Sequence, residues 1–176
     1  RRFEAAYERV MSERADARRS GEDAWVRLAR LSLETYVRTG RSLDTLPDGL
    51  PAELTGRAAG AFVSLHAGGR LRGCIGTIAP TQGSLAWEIV RNAVSAGAHD
   101  PRFTPVELAG LEYSVDVLGE PEPIASAAEL EPRRYGVIVT RGSRRGLLLP
   151  DLDGVDTAWQ QLRIALQKGG IRANEP

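Results

Sequence analysis

The sequence contains a single cysteine, Cys74, and a single lysine, Lys168, among its 176 residues. One cysteine cannot form an internal disulfide, and it excludes a zinc site built mainly from cysteine ligands. No apolar run approaches the roughly 18 residues that a membrane-spanning helix needs. We therefore expect a cytoplasmic protein that works in a reducing compartment and does not enter a membrane.

An excess of charge of one sign is also missing, since 23 basic residues stand against 23 acidic ones. This balance argues against a general nucleic-acid-binding protein, which normally carries a basic excess. The sequence lacks the motifs of nucleotide hydrolysis, dinucleotide binding, zinc proteolysis and serine hydrolysis. It begins with Arg1 rather than with Met. We therefore expect that the chain is a piece of a longer protein.

Periodicity along the chain predicts helices that alternate with hairpins. Apolar residues at helical spacing predict helices over 3–19, 22–39, 84–98 and 157–169. Strand patterns predict a hairpin from 61–66 and 70–77, a strand over 111–118, and a second hairpin from 136–140 and 146–149. Turn residues predict an irregular connection over 41–60. Because these elements show no β-α-β regularity, we predict an α+β fold, with a mostly antiparallel sheet flanked by helices.

The most unusual segment is the string Leu-Arg-Gly-Cys-Ile-Gly at residues 71–76. Glycine inside a strand usually marks a bulge or the close approach of a backbone or ligand, so Gly73 and Gly76 are candidate binding positions. Arg72 near Cys74 would favour the reactive thiolate or bind an anionic substrate, which makes the two candidate catalytic residues. The alternative is an inert core cysteine, because free cysteine is among the most buried residue types.

The length of the turn at Gly68-Gly69 decides which side chains surround Cys74. A two-residue turn pairs Cys74 with Val63 in apolar surroundings. A three-residue turn shifts the register by one and creates a polar cluster, in which Ser64 and His66 are candidate binding residues. The pairs in that second register are Phe62 with Cys74, Ser64 with Arg72, and His66 with Arg70.

Two further features could contribute to a site. The two histidines, His66 and His99, have no spacing that calls for a metal, and we predict neither a metal site nor a cofactor. Asp100 and Arg102 lie where the helix over 84–98 ends, and both are candidate binding residues. Arg102 could hold a substrate carboxylate or phosphate. Pairing between Asp100 and Arg102, or capping of the backbone, is the alternative.

Three strings in this sequence resemble, in order and spacing, the AMMECR domain family, whose bacterial members are called AmmeMemoRadiSam system protein A. They are Leu71–Gly76, Asp100–Phe103 and Arg144–Pro150. The resemblance covers roughly residues 24–171 and implies an α+β fold of two unequal lobes. On this basis we expect an N-terminal helix and linker over 1–21 and an AMMECR domain over 22–176.

The resemblance also implies partners. These are a Memo-like protein, related to class III extradiol dioxygenases, and a radical SAM enzyme. Some family members carry the Memo-like domain fused upstream, so we expect this chain to be the C-terminal part of such a fusion. Leu166 stands where members often have a second cysteine, and the strand that usually follows the last helix is absent from the sequence given.

Two functions follow from these observations. The first is an interaction module or subunit of a radical-SAM-linked modification system, in which the glycines of 71–76 serve strand packing. The second is a cysteine-dependent enzyme, in which Cys74 is the nucleophile and Arg72 binds an anion or lowers the thiol pKa. The sequence displays no complete acid-base constellation, which favours the first.

Overall fold

The computed structural model describes residues 21–172, apart from the side chains of residues 106 and 107. The helix predicted over 3–19 lies outside the described residues. The described chain forms two compact units, which are divided between Glu120 and Pro121. Each unit contains an antiparallel sheet and at least one helix, so the predicted α+β class is confirmed.

The first unit is built on a three-stranded antiparallel sheet with the order β2-β1-β3. Its strands are β1 (Ala61–Ala67), β2 (Arg70–Gly76) and β3 (Glu112–Val117). Its helices are α1 (Ala24–Thr39), α2 (Ala52–Thr55) and α3 (Leu85–Ala98), and a 3-10 helix spans Pro105–Gly110. The short helix α2 falls in the stretch that the sequence predicted to be irregular throughout.

One face of this sheet packs against α1 and α3 and forms the hydrophobic core. Side chains alternate along a strand, so Val63 and Leu65 of β1 point into this core, where both are fully buried. The helices cover them with a set of buried apolar residues, namely Leu28, Leu33, Leu85, Ile89, Ala93 and Ala96. The opposite face of β1 therefore carries Phe62, Ser64 and His66.

The ends of the helices follow from residues that cap them. The Asp23 carboxylate accepts a hydrogen bond from the Val26 N–H and begins α1. Gly40 ends the same helix in the left-handed conformation, with φ of 71°, which glycine adopts without steric cost. Ser84 caps the start of α3. Pro101 disfavours helical geometry at the residue before it, so α3 stops close to the point where the sequence predicted its end.

A buried carboxylate fixes the connection between β2 and α3. Glu88 of α3 is fully buried and accepts hydrogen bonds from the hydroxyls of Thr77 and Thr81 and from the N–H groups of Thr81 and Gln82. Burial raises the pKa of Glu88, but these hydrogen bonds outweigh it and lower the pKa below its ordinary value. The connection is therefore tied to the same helix that covers the sheet.

The second unit consists of a two-stranded hairpin and a helix that packs on it. Its elements are β4 (Val137–Arg141), β5 (Arg144–Leu148), α4 (Ala158–Lys168) and a 3-10 helix at Ala127–Glu129. The strands predicted over 136–140 and 146–149 leave residues 141–145 as the hairpin turn, and this predicted turn is too long. Arg141 pairs with Arg144, so only Gly142 and Ser143 form the turn.

Both ends of α4 are as the sequence predicts. The Thr157 hydroxyl accepts from the Gln160 N–H, and the Gln160 side chain accepts from the Thr157 N–H, so the two residues form a capping box. Gly170 is left-handed, with φ of 63°, and the Ile171 N–H donates to the Leu166 carbonyl at 2.9 Å. These are the features of a Schellman stop.

Candidate functional site

The hairpin of β1 and β2 has a register that neither sequence alternative predicts. The turn has two residues, Gly68 and Gly69, both with positive φ, and Ala67 pairs with Arg70. The register then shifts between Leu65 and His66, because Arg72 is an extra residue in β2. Cys74 consequently lies opposite Ser64, with neither Val63 nor Phe62 as its partner. A β-bulge inserts an extra residue in this way, and the glycine-containing strand carries it.

Cys74 is a free, partly exposed thiol on the sheet face that points away from the helices. The Ser64 hydroxyl, in a residue only 7% exposed, donates a hydrogen bond to the Cys74 sulfur at 3.3 Å. Ser114 of β3 lies opposite Ser64 on its other side, so the three residues form one row across the sheet. We call the outer face that carries Ser64, Cys74 and Ser114 the thiol face. The core position considered for Cys74 is therefore wrong.

The two glycines of the segment permit close packing. A Cβ atom on Gly73 would lie 2.4 Å from the Ala96 carbonyl oxygen, so this glycine lets β2 approach the backbone of α3. A Cβ atom on Gly76 would lie 2.2 Å from the ring of Phe62, its partner across the hairpin. Gly73 therefore points to the helices, away from the thiol face, while Gly76 lies beneath an aromatic ring.

Asp100 joins the end of α3 to the free edge of β2. Its Oδ2 atom accepts a hydrogen bond from the Cys74 N–H at 3.1 Å, and its Oδ1 atom accepts from the Arg102 N–H at 3.1 Å. The Arg102 guanidinium donates to both oxygens, through Nε to Oδ1 at 2.8 Å and through Nη2 to Oδ2. The predicted pairing of Asp100 with Arg102 is thus present, together with a contact to Cys74 that the sequence did not indicate.

These contacts determine the charge of the Asp100 side chain, which is only 6% exposed. The hydrogen bonds from the Arg102 guanidinium lower the pKa of Asp100 well below its ordinary range, against the opposing effect of burial. The N–H groups of Arg102 and Cys74 lower it further. Asp100 is therefore a carboxylate at physiological pH, and it fixes the backbone of Cys74 from the side opposite β1.

The structure brings four of the predicted site residues into one network, namely Ser64, Cys74, Asp100 and Arg102. His66 lies further along β1, opposite Leu71 and Glu112. Arg72 is the extra residue of the bulge. Among residues 21–172, no three histidine, cysteine, aspartate or glutamate side chains are placed to hold a metal ion. The roles predicted for the individual residues stay predictions.

Asp116 shares the sheet face of Ser114 and was not among the predicted site residues. It lies opposite Phe62, two residues along β3 from Ser114, which belongs to the row that contains Cys74. Burial raises the pKa of the Asp116 carboxyl above its ordinary value. The alternation over residues 112–116 places Ser114 and Asp116 on one face, so this pattern could have found the residue.

Comparison with known proteins places the chain in a family. The family model for AMMECR1 matches residues 26–176. The chain belongs to the AMMECR1 family. A protein of Thermotoga maritima is 53% identical, over 86% of this chain and 88% of the relative. A protein of Clostridium acetobutylicum is 47% identical over 96% of this chain, but the match covers only 36% of that relative, so this chain spans about a third of its length.

The fold is shared with a solved structure. The crystal structure of uncharacterised protein PH0010 from Pyrococcus horikoshii matches 85% of this chain and 82% of that chain, with a TM-score of 0.76 and 31% sequence identity. This likeness supports the α+β architecture described above. None of the helices found within residues 21–172 has the length and apolar character needed to cross a bilayer.

Proposed function

We propose that this AMMECR1-family chain is a subunit of a radical-SAM-linked modification system and works in the cytoplasm with a Memo-like partner. The observation that carries the proposal is the length of the Clostridium acetobutylicum relative, of which the matched region is 36%. An AMMECR1 domain in that protein is joined to a much longer stretch of chain. Such an arrangement is expected of a module that acts beside another domain, whether fused to it or encoded separately.

The chemistry of the thiol face supports the same proposal. A thiol nucleophile is commonly activated by a base within hydrogen-bond reach. The residue opposite Cys74 is Ser64, which contributes a hydroxyl group. His66, the nearest histidine along β1, lies opposite Leu71 instead. A hydroxyl donates to sulfur but does not take its proton at neutral pH. A partner that docks on the thiol face would supply the missing group.

The proposal is tested by binding between purified proteins from one organism. The full-length chain is mixed with the Memo-like protein and the radical SAM enzyme, and complexes are detected by size-exclusion chromatography with light scattering. We expect a stable complex with at least one of them. Absence of binding to both would contradict the proposal.

Two variants locate the docking surface. Ser114→Arg places a long cation on the exposed part of the thiol face and is expected to weaken the complex at least tenfold. Ser42→Arg is the matched control, because Ser42 is equally exposed but lies near Trp87 and Arg91 of α3, on the helical side of the sheet. Equal effects of the two variants would place the docking surface elsewhere.

A second candidate function is a cysteine-dependent enzyme, and one observation favours it. The Cys74 thiol is partly exposed, accepts a hydrogen bond from Ser64 and has its backbone fixed by Asp100. Alkylation with iodoacetamide, followed by intact mass, reports on this thiol alone because the chain has no other cysteine. We expect one adduct, which Cys74→Ser abolishes. A native thiol that reacts more than tenfold slower than free cysteine would contradict this function.

A further inference from the structure

The Arg102 guanidinium is only partly used by its ion pair. An arginine side chain carries five N–H donors, and two parallel bonds to a carboxylate occupy one of its edges. In this structure Nε and one hydrogen of Nη2 are occupied by Asp100. The second hydrogen of Nη2 and both hydrogens of Nη1 remain. The Nη2 hydrogen and one of the Nη1 hydrogens are parallel and form the end-on edge of the guanidinium. The Nη1 atom of Arg102 has no hydrogen-bond partner among the described residues.

Asp100 is much more buried than Arg102, and this difference turns the end-on edge of the guanidinium towards solvent. The Asp100 side chain is 6% exposed, whereas the Arg102 side chain is 47% exposed. The inner edge of the guanidinium is therefore held by a buried carboxylate, and the remaining donors face the solvent side. A guanidinium fixed in this way loses less conformational freedom when it binds a ligand than a mobile arginine does.

The guanidinium lies close to the backbone of Cys74. Arg102 Nη2 and the Cys74 N–H both donate to the same oxygen, Asp100 Oδ2, so the guanidinium and the Cys74 backbone are immediate neighbours. The hydrogen bonds that Arg102 donates to the Asp100 carboxylate raise the pKa of Arg102 above its ordinary value, so the guanidinium keeps its charge. A small ligand bound to the guanidinium would consequently have its next atoms near sulfur.

We propose that the end-on edge of Arg102, oriented by Asp100, binds the carboxylate of a small ligand whose adjacent carbon lies at Cys74. Arginine pairs with carboxylates and phosphates alike, but the neighbouring Asp100 charge repels a doubly charged phosphate more strongly than a singly charged carboxylate. The inference deepens the second candidate function and rests on it only for the reactivity of the thiol. The binding of the carboxylate by Arg102 is a separate claim.

The test compares two alkylating reagents that differ only in charge. Iodoacetate and iodoacetamide both form a carbon–sulfur bond as iodide leaves and the thiol proton passes to water. Iodoacetate also carries a carboxylate. Exposure and acidity of the thiol affect both rates, so their ratio reports on recognition of the carboxylate. We expect the ratio for Cys74 to exceed that for N-acetylcysteinamide, which carries no carboxylate of its own, by about two- to fivefold, as a partly exposed ion pair allows.

The variants assign this effect to one side chain. Arg102→Gln is expected to return the ratio to the value of N-acetylcysteinamide. Arg57→Gln is the matched control, because the Arg57 side chain is 49% exposed, pairs with Glu53 and lies near the opposite end of α3. It is expected to leave the ratio unchanged. An equal ratio in wild type and Arg102→Gln would overturn the proposal, as would a loss caused by Arg72→Gln instead.

A second measurement does not depend on the thiol. The labelled chain is titrated with succinate, and the amide signal of Cys74, which is present in wild type and variant alike, is followed by NMR together with the Arg102 Nε–H signal of the wild type. Saturable shifts that vanish in Arg102→Lys, which keeps the charge without the planar edge, are expected. Absence of shifts, or tighter binding of inorganic phosphate, would overturn the carboxylate site. If Cys74 reacts with neither reagent while succinate binds, the enzyme function fails and the anion site stands.

Discussion

Replacement of Gly73 by alanine tests the packing that holds the thiol in place. The Cβ atom of the variant would lie 2.4 Å from the Ala96 carbonyl oxygen, where real contacts are at least 3.0 Å. The backbone of β2, or the last turn of α3 that contains Ala96, must therefore move by about 0.6 Å or more. The same displacement would strain the Asp100 contact to the Cys74 N–H.

The size of the effect follows from this overlap. Overpacking of a well-packed core costs about 1–3 kcal/mol. In a chain of 176 residues, each kcal/mol lowers the midpoint of thermal unfolding by about 2–4 °C. We therefore expect Gly73→Ala to unfold about 2–12 °C below the wild type, as measured by circular dichroism.

Gly119→Ala provides the matched control for this substitution. A Cβ atom at Gly119 meets no atom within 4 Å, and its backbone conformation is one that alanine adopts. The control is expected to unfold within about 1 °C of the wild type, since surface substitutions usually change stability by less than ~0.5 kcal/mol. If Gly73→Ala unfolds at the same temperature as this control, β2 does not approach α3 as closely as described, and the packing argument is refuted.

Two buried carboxylates lead to further predictions. Glu88→Gln is expected to destabilise the chain by about 3 kcal/mol, as measured by urea unfolding. The carboxylate of Glu88 accepts hydrogen bonds at both oxygens, whereas the NH₂ group of glutamine would point its hydrogens at some of the same donors. An unchanged stability would contradict this prediction. The pKa of Asp100 is lower in the folded chain than in the unfolded chain, so the ionised carboxylate stabilises the fold. This stabilisation is complete at pH values above the ordinary pKa of aspartate, and it is lost as the pH falls towards the pKa of Asp100 in the folded chain. Asp100→Asn should therefore be less stable than wild type at pH 7 and lose less stability between pH 5 and pH 3; parallel pH profiles would refute the assignment.

The sequence predicts most of the secondary structure because the signals are local. Asp23 and Gly40 delimit α1, and Thr157 and Gly170 delimit α4, through hydrogen bonds and backbone angles within a few residues of each helix end. The short helix over Ala52–Thr55 carries no comparable signal. A helix of a single turn is not stable by itself, so its formation depends on packing that the sequence pattern does not display.

The hairpin of β4 and β5 shows how a loop can be misjudged from composition. The strands predicted over 136–140 and 146–149 left the five residues Arg-Gly-Ser-Arg-Arg at 141–145 as the hairpin tip. In the structure Arg141 and Arg144 are cross-strand partners, and the left-handed Gly142 completes a two-residue turn. Arginine is polar, but its long side chain is compatible with strand backbone when the head group reaches solvent. The glycine at position 142, which favours a tight turn, therefore predicts the length of this turn better than the run of polar residues does.

The candidate site could be predicted only in part, because its geometry depends on one inserted residue. A two-residue glycine turn, taken with regular pairing, gives an apolar partner for Cys74, and the bulge at Arg72 exchanges that partner for Ser64. The bulge also turns Gly73 towards the Ala96 carbonyl, where only glycine fits. A regular strand would instead direct the Cys74 side chain to that crowded side. Close packing at Gly73 and an accessible thiol at Cys74 are thus two consequences of the same bulge, and a sequence change that removes the bulge must disrupt both together.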